Sequence, residues 1–485
     1  MRPADDSDAP VVVWFRSDLR LRDNGALTAA AQSGRPVIAV FIFDDPPQAG
    51  PALGGAQRWW LHHSLAALAD SLKGIGLPLV LRRGDPAAVL DALIAETGAD
   101  TVYWNRRYAP HEVQLDQKIK RDLGERGLTV ASHDGALMHE PTRIRTKDGG
   151  PYRVYSPFWR AFAQSGEPRE PLPAPESIRA HHTTIASDRL EDWSLLPKEP
   201  DWSGGIAEVW DPGEHGAQTR LAEFVEDGLA GYKAERNKPA AEGTSRLSPH
   251  LRFGEITPFD VWHAAGKARG VAAGDLETFR KELAWREFSY HLLFHFPDLG
   301  TANFNSDFDA FPWRDDDRAL RAWRAGRTGY PIVDAGMRQL WQTGWMHNRV
   351  RMIVGSFLIK DLMIDWRRGE AWFWDTLVDA DPANNTASWQ WVAGSGADAA
   401  PYFRVFNPVL QGEKFDADGA YVRRYVPELA ALDTKYIHKP WQAPQDVLDR
   451  AGIRLGETYP EPMVDHGQAR KRALAAYEQT RRHAA

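Results

Sequence analysis

A change of hydrophobic period partway along the chain limits its fold more than any other feature. Up to about residue 135 the sequence alternates. The runs VVVWF (11–15), VIAVFIF (37–43), LPLVLRR (77–83), DTVYWN (100–105) and LTVAS (128–132) are short and nearly all apolar. Between them lie stretches such as QRWWLHHSLAALADSLKGIG (57–76) and DPAAVLDALIAETG (85–98), apolar at helical spacing. Strands apolar on both faces, separated by helices, predict a parallel sheet covered on both sides. Such sheets bind ligands beyond the carboxyl ends of their strands. The first strand is followed by RSDLRLRDNGAL, which lacks G-x-G-x-x-G, so no dinucleotide fingerprint supports NAD. From about residue 217 no strand pattern is found, and the apolar residues recur at helical spacing. The proline-rich run EPREPLPAPES lies between the two regimes and predicts a surface-running connector. The expected organisation is a Rossmann-like α/β domain over 1–135, a linker over 136–215 and an all-α domain over 216–485.

The 485 residues contain no cysteine. That excludes disulfides, thiolate nucleophiles, cysteine-ligated zinc and cysteine-ligated iron–sulfur clusters. Any electron transfer must then use an organic cofactor or aromatic side chains. The net charge of −7 means that a nucleic-acid partner needs a local basic face. Tryptophan is abundant, 20 against 13 tyrosines, and most of these rings are expected to fill a helical core. No apolar run is long enough to span a bilayer, and MRPADDSDAP lacks the core of a signal peptide, so a cytoplasmic protein is expected.

Four helical stretches carry more polar detail than a plain core needs. In YKAERNKPAAEGTSRLSPHLRFGEITP (232–258), Thr244 and Ser245 stand at an expected helix start, suited to phosphate, among Lys233, Arg236, Lys238, Arg246 and Arg252. Taken alone, this stretch reads more readily as an ordinary cap with solvated charges. In FRKELAWREF (279–288), Glu282, Trp285 and Arg286 share a helical face. Either a carboxylate and a ring meet a base there, or a surface Glu–Arg pair flanks a core tryptophan. In TGWMHNRVRM (343–352), Asn348, Arg351 and Met352 lie at i, i+3 and i+4, while His347 has no second metal ligand at zinc spacing. In DADPANNTASWQW (379–391), Asp379 and Asp381 precede a helix as acceptors for a ligand N–H. Asn385 and Trp389 share a face there, and Trp391 lies roughly 200° further round.

These stretches, with VVVWFRSDLRLRDNGAL, RTGYPIVDAGMRQLWQTGWMHNRVRM, DWRRGE and DAAPYFRVFNPVLQGEKFD in the same order, resemble the cryptochrome/photolyase family over nearly the whole chain. The likeness is greatest to its cyclobutane pyrimidine dimer branch. The resemblance implies an α/β antenna domain joined by a long linker to an all-α FAD-binding domain. It implies FAD held by Tyr232, Thr244, Ser245, Arg246, Leu247, Ser248, Phe279, Arg351, Asp379, Ala380, Asp381 and Asn385. Phe279 stands where many relatives carry tryptophan. Glu282 would hydrogen-bond the damaged base, and Trp285 and Trp391 would pack on it. Arg236, Arg286, Asn348, Arg349 and Met352 would complete the DNA site. Trp389, Trp366 and Trp313 match a tryptophan electron relay, with Trp341, Trp372 and Trp374 as a branch or as core.

The activity so implied is a light-driven carbon–carbon lyase acting on DNA that contains cyclobutane dimers. Photoexcited reduced FAD lends an electron to a flipped-out dimer. No metal, no membrane and a monomer are expected. Asn348 and Met352, where six-four enzymes carry a histidine pair, favour the cyclobutane lesion. The alternatives are a cryptochrome-type blue-light photoreceptor and a cryptochrome-like protein repairing only single strands. WNRRYAPHE (104–112), with Glu112, points to methenyltetrahydrofolate as antenna, with deazaflavin as the other option.

Overall fold

The computed structural model describes residues 8–45, 47, 49–398 and 403–484. Positions 399–402 of the DAAPYFRVFNPVLQGEKFD stretch thus lie outside the described residues. The first regime folds as expected. Strands β1 (Val11–Phe15), β2 (Val37–Phe43), β3 (Leu79–Arg83), β4 (Thr101–Asn105) and β5 (Thr129–His133) form one parallel sheet in the order β3-β2-β1-β4-β5. Helices α1 (Gly25–Gln32) and α2 (Gly55–Gly74) cover the face that carries Val11, Val13 and Phe15. Helices α3 (Pro86–Thr97) and α4 (Pro110–Glu125) cover the face that carries Val12 and Trp14. Both faces of β1, β2 and β4 are therefore buried, which is why those strands read as nearly unbroken apolar runs, while the edge strands β3 and β5 are partly exposed. Local signals set the helix ends. The Asp85 side chain accepts from Ala88 N at 2.9 Å, Pro86 follows it, and Gly98 ends α3 in the left-handed region.

The expected connector is only partly loose. It contains α5 (Tyr155–Gln164), whose Tyr155, Phe158 and Phe162 are buried against the long helix Ala273–His295. Further on, Trp193, Leu195, Ile206 and Trp210 join the core beneath α2. The proline-rich composition concealed these anchors, which are single aromatic and aliphatic residues without a helical period.

Beyond residue 204 the described residues form helices and turns, with one isolated bridge between Leu455 and Tyr459. One correction concerns the helix expected to begin at Thr244 and Ser245. It spans Ser248–Phe253, so those two residues lie in the preceding turn, where Arg246 adopts φ 51°. The two domains are closely joined. Trp60 Nε1 donates to Glu255 Oε1 at 2.9 Å, Gln57 Nε2 donates to the Trp374 carbonyl at 2.8 Å, and Arg20 Nη1 donates to the Gly254 carbonyl at 2.8 Å. Gly254 has φ +66°, and a Cβ there would lie 2.1 Å from the Ser17 carbonyl oxygen. Only glycine admits that approach.

Candidate active site

The helix Ala273–His295 builds one wall. Phe279, Glu282 and Trp285 are three residues apart and so occupy one face. Phe279 is buried against Phe224 (ring centroids 4.8 Å) and Tyr232 (5.4 Å). Trp285 lies flat on Tyr155, with centroids 3.6 Å apart and planes 7° apart, and the Tyr155 hydroxyl donates to the Lys281 carbonyl. Arg236 Nη1 donates to Glu282 Oε1 at 2.5 Å. The acid's partner is a distant arginine, not Arg286. Burial pushes the Glu282 carboxyl up, and the Arg236 and Arg349 guanidiniums oppose that rise.

Arg286 is a correction. Its Nη1 donates to the Ala136 carbonyl at 2.7 Å, and its guanidinium lies 5.1 Å from the Tyr290 ring centre. It lines a cavity of about 30 Å³ between the two domains, together with Arg20, Arg107, Glu112 and Arg252, and it does not join Glu282. Glu112 is engaged there. It accepts from Ala109 N at 3.1 Å and pairs with Arg107 at 3.2 Å. A cavity of this size holds a water molecule and not a pterin.

The second wall comes from the helix Asn348–Ser356. Its first residue, Asn348, is exposed, and Arg349 is held by Asn237 Oδ1 through Nη2 at 2.7 Å. Met352, half-buried, lies one turn further on. Arg351 binds Asp379 at 3.1 and 2.7 Å, and Ser248 Oγ donates to the same carboxylate at 2.6 Å. Asp379 therefore faces the site already paired. Asp381 is turned inward. Its Oδ1 accepts from Ala383 N, Asn384 N and Asn384 Nδ2, and its Oδ2 accepts from the Tyr290 hydroxyl. Both of its oxygens are thus engaged within the chain, where it serves the start of the next helix. Ala380 is buried, and its carbonyl accepts from Arg252 Nε at 2.6 Å.

The third wall is the helix Asn384–Ala393. Asn385 Nδ2 donates to Glu370 Oε1 at 2.9 Å and to the Glu370 carbonyl at 3.2 Å. This sets the amide's orientation and leaves its Oδ1 without a partner among the described residues. Trp389 is buried and Trp391 half-buried, and both adjoin the same apolar core. Gly369 makes room for the former, because a Cβ there would lie 2.3 Å from Trp389 Cη2. Trp366 is fully buried, with Nε1 donating to Asn303 Oδ1 at 2.9 Å, and Trp313 packs partly buried at the outer edge of the same core. Trp341 and Trp372 stack at 6.0 Å with Trp341 exposed, whereas Trp374 Nε1 binds the Ala52 carbonyl and joins the domains.

The site is electropositive at its centre. His347 is buried among Arg349, Arg246, Arg351 and Arg236, and burial with these charges pushes its imidazole down to about 3. It is thus neutral. Its Nδ1 accepts from Arg349 N at 3.2 Å, and its Nε2 is buried with no partner. The backbone N–H groups of Thr244, Ser245 and Arg246 also find no acceptor among the described residues. An unpaired donor set beside four guanidiniums fits an anionic, acceptor-rich ligand such as a flavin dinucleotide. Among the described residues no group of His, Asp or Glu could hold a metal. The sequence reading missed Glu370, Asn237 and Tyr155. Glu370 lies within DWRRGE and Asn237 directly follows Arg236, but nothing in their spacing marks them.

Residues 11–176 match the family described as DNA photolyase, and residues 279–479 match the FAD binding domain of DNA photolyase. A deoxyribodipyrimidine photo-lyase of Agrobacterium fabrum is 61% identical over 97% of this chain and 98% of its own. Cryptochrome-2 of Arabidopsis thaliana is 39% identical over 98% of this chain and 79% of its own. The crystal structure of a bacterial class III photolyase from Agrobacterium tumefaciens superposes with a TM-score of 0.96 at 60% identity, covering 99% of both chains. With this degree of likeness along its whole length, the chain belongs to the photolyase/cryptochrome family.

Proposed function

We propose that the protein repairs cyclobutane pyrimidine dimers in DNA under light, with FAD as its photoactive cofactor. The observation that carries this reading is the Arg236–Glu282 pair on the helix that also bears the Tyr155–Trp285 stack, taken with the Asn385–Glu370 and Arg351–Asp379 pairs. When bound and reduced, FAD supplies one electron to the lesion on absorbing light and takes it back once the ring has opened. The chain's own residues do the rest. The N–H groups of Thr244, Ser245 and Arg246 hold phosphate, with Leu247 and Ser248 shaping the turn. Tyr232 and Phe279 close the aromatic side. Arg351, fixed by Asp379, holds a cation against the ligand. Asn385 Oδ1 accepts a ligand N–H because Glu370 holds the NH₂ end. Glu282 meets the polar edge of the damaged base, and Trp285 and Trp391 pack on it once it leaves the helix. Arg236, Arg349, Asn348 and Met352 receive the strand, and the guanidiniums make that binding weaken with salt.

Trp389, Trp366 and Trp313 form the relay that refills an oxidised cofactor, and the Trp341–Trp372 stack is a second exit from the same core. For the antenna we propose methenyltetrahydrofolate, held elsewhere than in the small cavity at Arg107 and Glu112, and pigment extraction separates it from deazaflavin. No helix among the described residues is long and apolar enough to cross a membrane. Illumination of the purified, reduced protein with dimer-containing single- and double-stranded DNA tests the proposal. Restored pyrimidines in both are expected. Repair in neither favours the photoreceptor reading, to which the likeness to Cryptochrome-2 lends weight, and repair of single strands alone favours the restricted enzyme.

A further inference from the structure

A hollow of about 360 Å³ opens on the outer side of the helical domain, apart from the site above. Phe403, Arg404 and Val405 form one side. The helix His466–Ala484 forms the other, turning Arg470, Tyr477 and Arg481 toward it at spacings of seven and four residues, on one helical face. Tyr477 and Phe403 lie face to face, centroids 4.7 Å apart and planes 11° apart. Beneath them Lys360 Nζ sits 4.3 Å from the Phe403 ring centre and donates to the Arg404 carbonyl. Glu478 is the one acid of the lining. Arg470 and Arg481 form no ion pair among the described residues.

The volume lies within the range of small-molecule sites and admits one substituted heterocycle with its phosphate. Guanidiniums around an aromatic wall recognise planar anions, through charge-assisted hydrogen bonds and stacking. The hollow also leads inward. The Phe403 ring is 6.0 Å from Phe311, and Phe311 is 4.4 Å from Trp313. Two phenylalanine rings are all that separate a bound ligand from the outermost tryptophan of the relay.

We propose that this hollow docks a planar anionic electron donor of the dihydronicotinamide phosphate class, which refills the hole left at Trp313 after light has drawn an electron inward. The inference rests on the relay reading of Trp313, Trp366 and Trp389. One electron passes from the dihydropyridine ring to the oxidised indole, and the donor's ring proton leaves to water. The neutral donor radical gives its second electron to a second oxidised relay and departs as the oxidised nicotinamide, a pyridinium cation. The flavin, driven by light, is the oxidant that empties the relay each time.

The test is steady-state photoreduction of the oxidised holoenzyme under blue light, with NADPH or neutral dithiothreitol as donor. The rate should saturate with NADPH. In Arg470→Glu/Arg481→Glu the half-saturating NADPH concentration should rise about tenfold, and the dithiothreitol-supported rate should stay unchanged. Added salt should imitate the variant for NADPH alone. The chemically reduced variant should repair DNA at the wild-type rate, which reports an intact fold. If charge reversal prevents folding, Arg470→Gln/Arg481→Gln carries the same expectation with a smaller shift. A rate linear in NADPH and equal in both proteins overturns the dock, and so does a variant that loses DNA affinity while keeping its NADPH dependence. If dithiothreitol supports photoreduction that requires Trp389 while the arginines are indifferent, the relay stands and the dock alone fails. If Trp389→Phe changes nothing, the relay reading falls and takes the dock with it.

Discussion

Replacing Glu370 by alanine probes the site through a residue one step removed from the ligand. Glu370 holds Asn385 Nδ2 at 2.9 Å and Thr386 Oγ1 at 3.4 Å, while its own backbone carbonyl keeps a 3.2 Å contact to the same Nδ2. The truncation therefore removes one good hydrogen bond and leaves a longer one. A net hydrogen bond contributes about 0.5–1.5 kcal/mol, which is the preference lost for the amide orientation that turns Oδ1 to the ligand. An acceptor at that place favours a protonated ring nitrogen and hence the reduced cofactor. Losing the preference should lower the one-electron potential by roughly 20–65 mV. FAD content should not fall, because Arg351–Asp379 and the 244–248 turn are untouched. A dye-equilibration titration of wild type, Glu370→Ala and Glu370→Gln measures this. The glutamine variant should stay near wild type, since its carbonyl accepts the same bond. An unchanged potential in Glu370→Ala, with a shifted one in Asn385→Ala, would refute the chain of reasoning from Glu370 to the ligand.

Glu282→Ala should lower repair about tenfold, one charge-assisted hydrogen bond, with FAD still bound; loss of FAD on gel filtration would make the residue structural. Trp389→Phe should abolish photoreduction of oxidised flavin yet spare repair by chemically reduced protein, and photoreduction at the normal rate would remove it from the relay. Burial and Arg404 push the Lys360 ammonium down to about 7, against a partial rise from Asp361. The unfolded chain then holds more protons between pH 7 and about 10.5, so this group makes stability increase as pH rises through that window. Urea titrations of wild type and Lys360→Met should diverge there, with the variant's curve flatter; parallel curves would show that Lys360 stays charged.

The sheet was legible because both faces of its central strands are buried, which leaves an unmistakable apolar signature in β1, β2 and β4. The helical domain was legible as helix but not as a site. Spacing placed Glu282 and Trp285 on one face, yet it also placed Arg286 there. Only the packing of residues 136–141 against Ala273–His295 drew that guanidinium to the Ala136 carbonyl. Partners distant in the chain escape periodicity altogether. Arg236 to Glu282, Asn385 to Glu370 and Tyr155 to Trp285 are of this kind. The turn at Arg246 was misread because Thr and Ser are good caps wherever they occur, while a left-handed residue in the turn delays the helix to Ser248.

The contact at Gly254 bears on how the molecule comes apart. Two hydrophobic interiors would ordinarily melt separately. Here the backbone of one half lies against that of the other, and hydrogen bonds from Trp60, Gln57 and Arg20 cross the seam. Neither half can loosen without stranding buried donors belonging to its neighbour. The seam thus converts two potential transitions into one, and a fragment ending near residue 135 would expose an unfinished surface, not a free-standing domain.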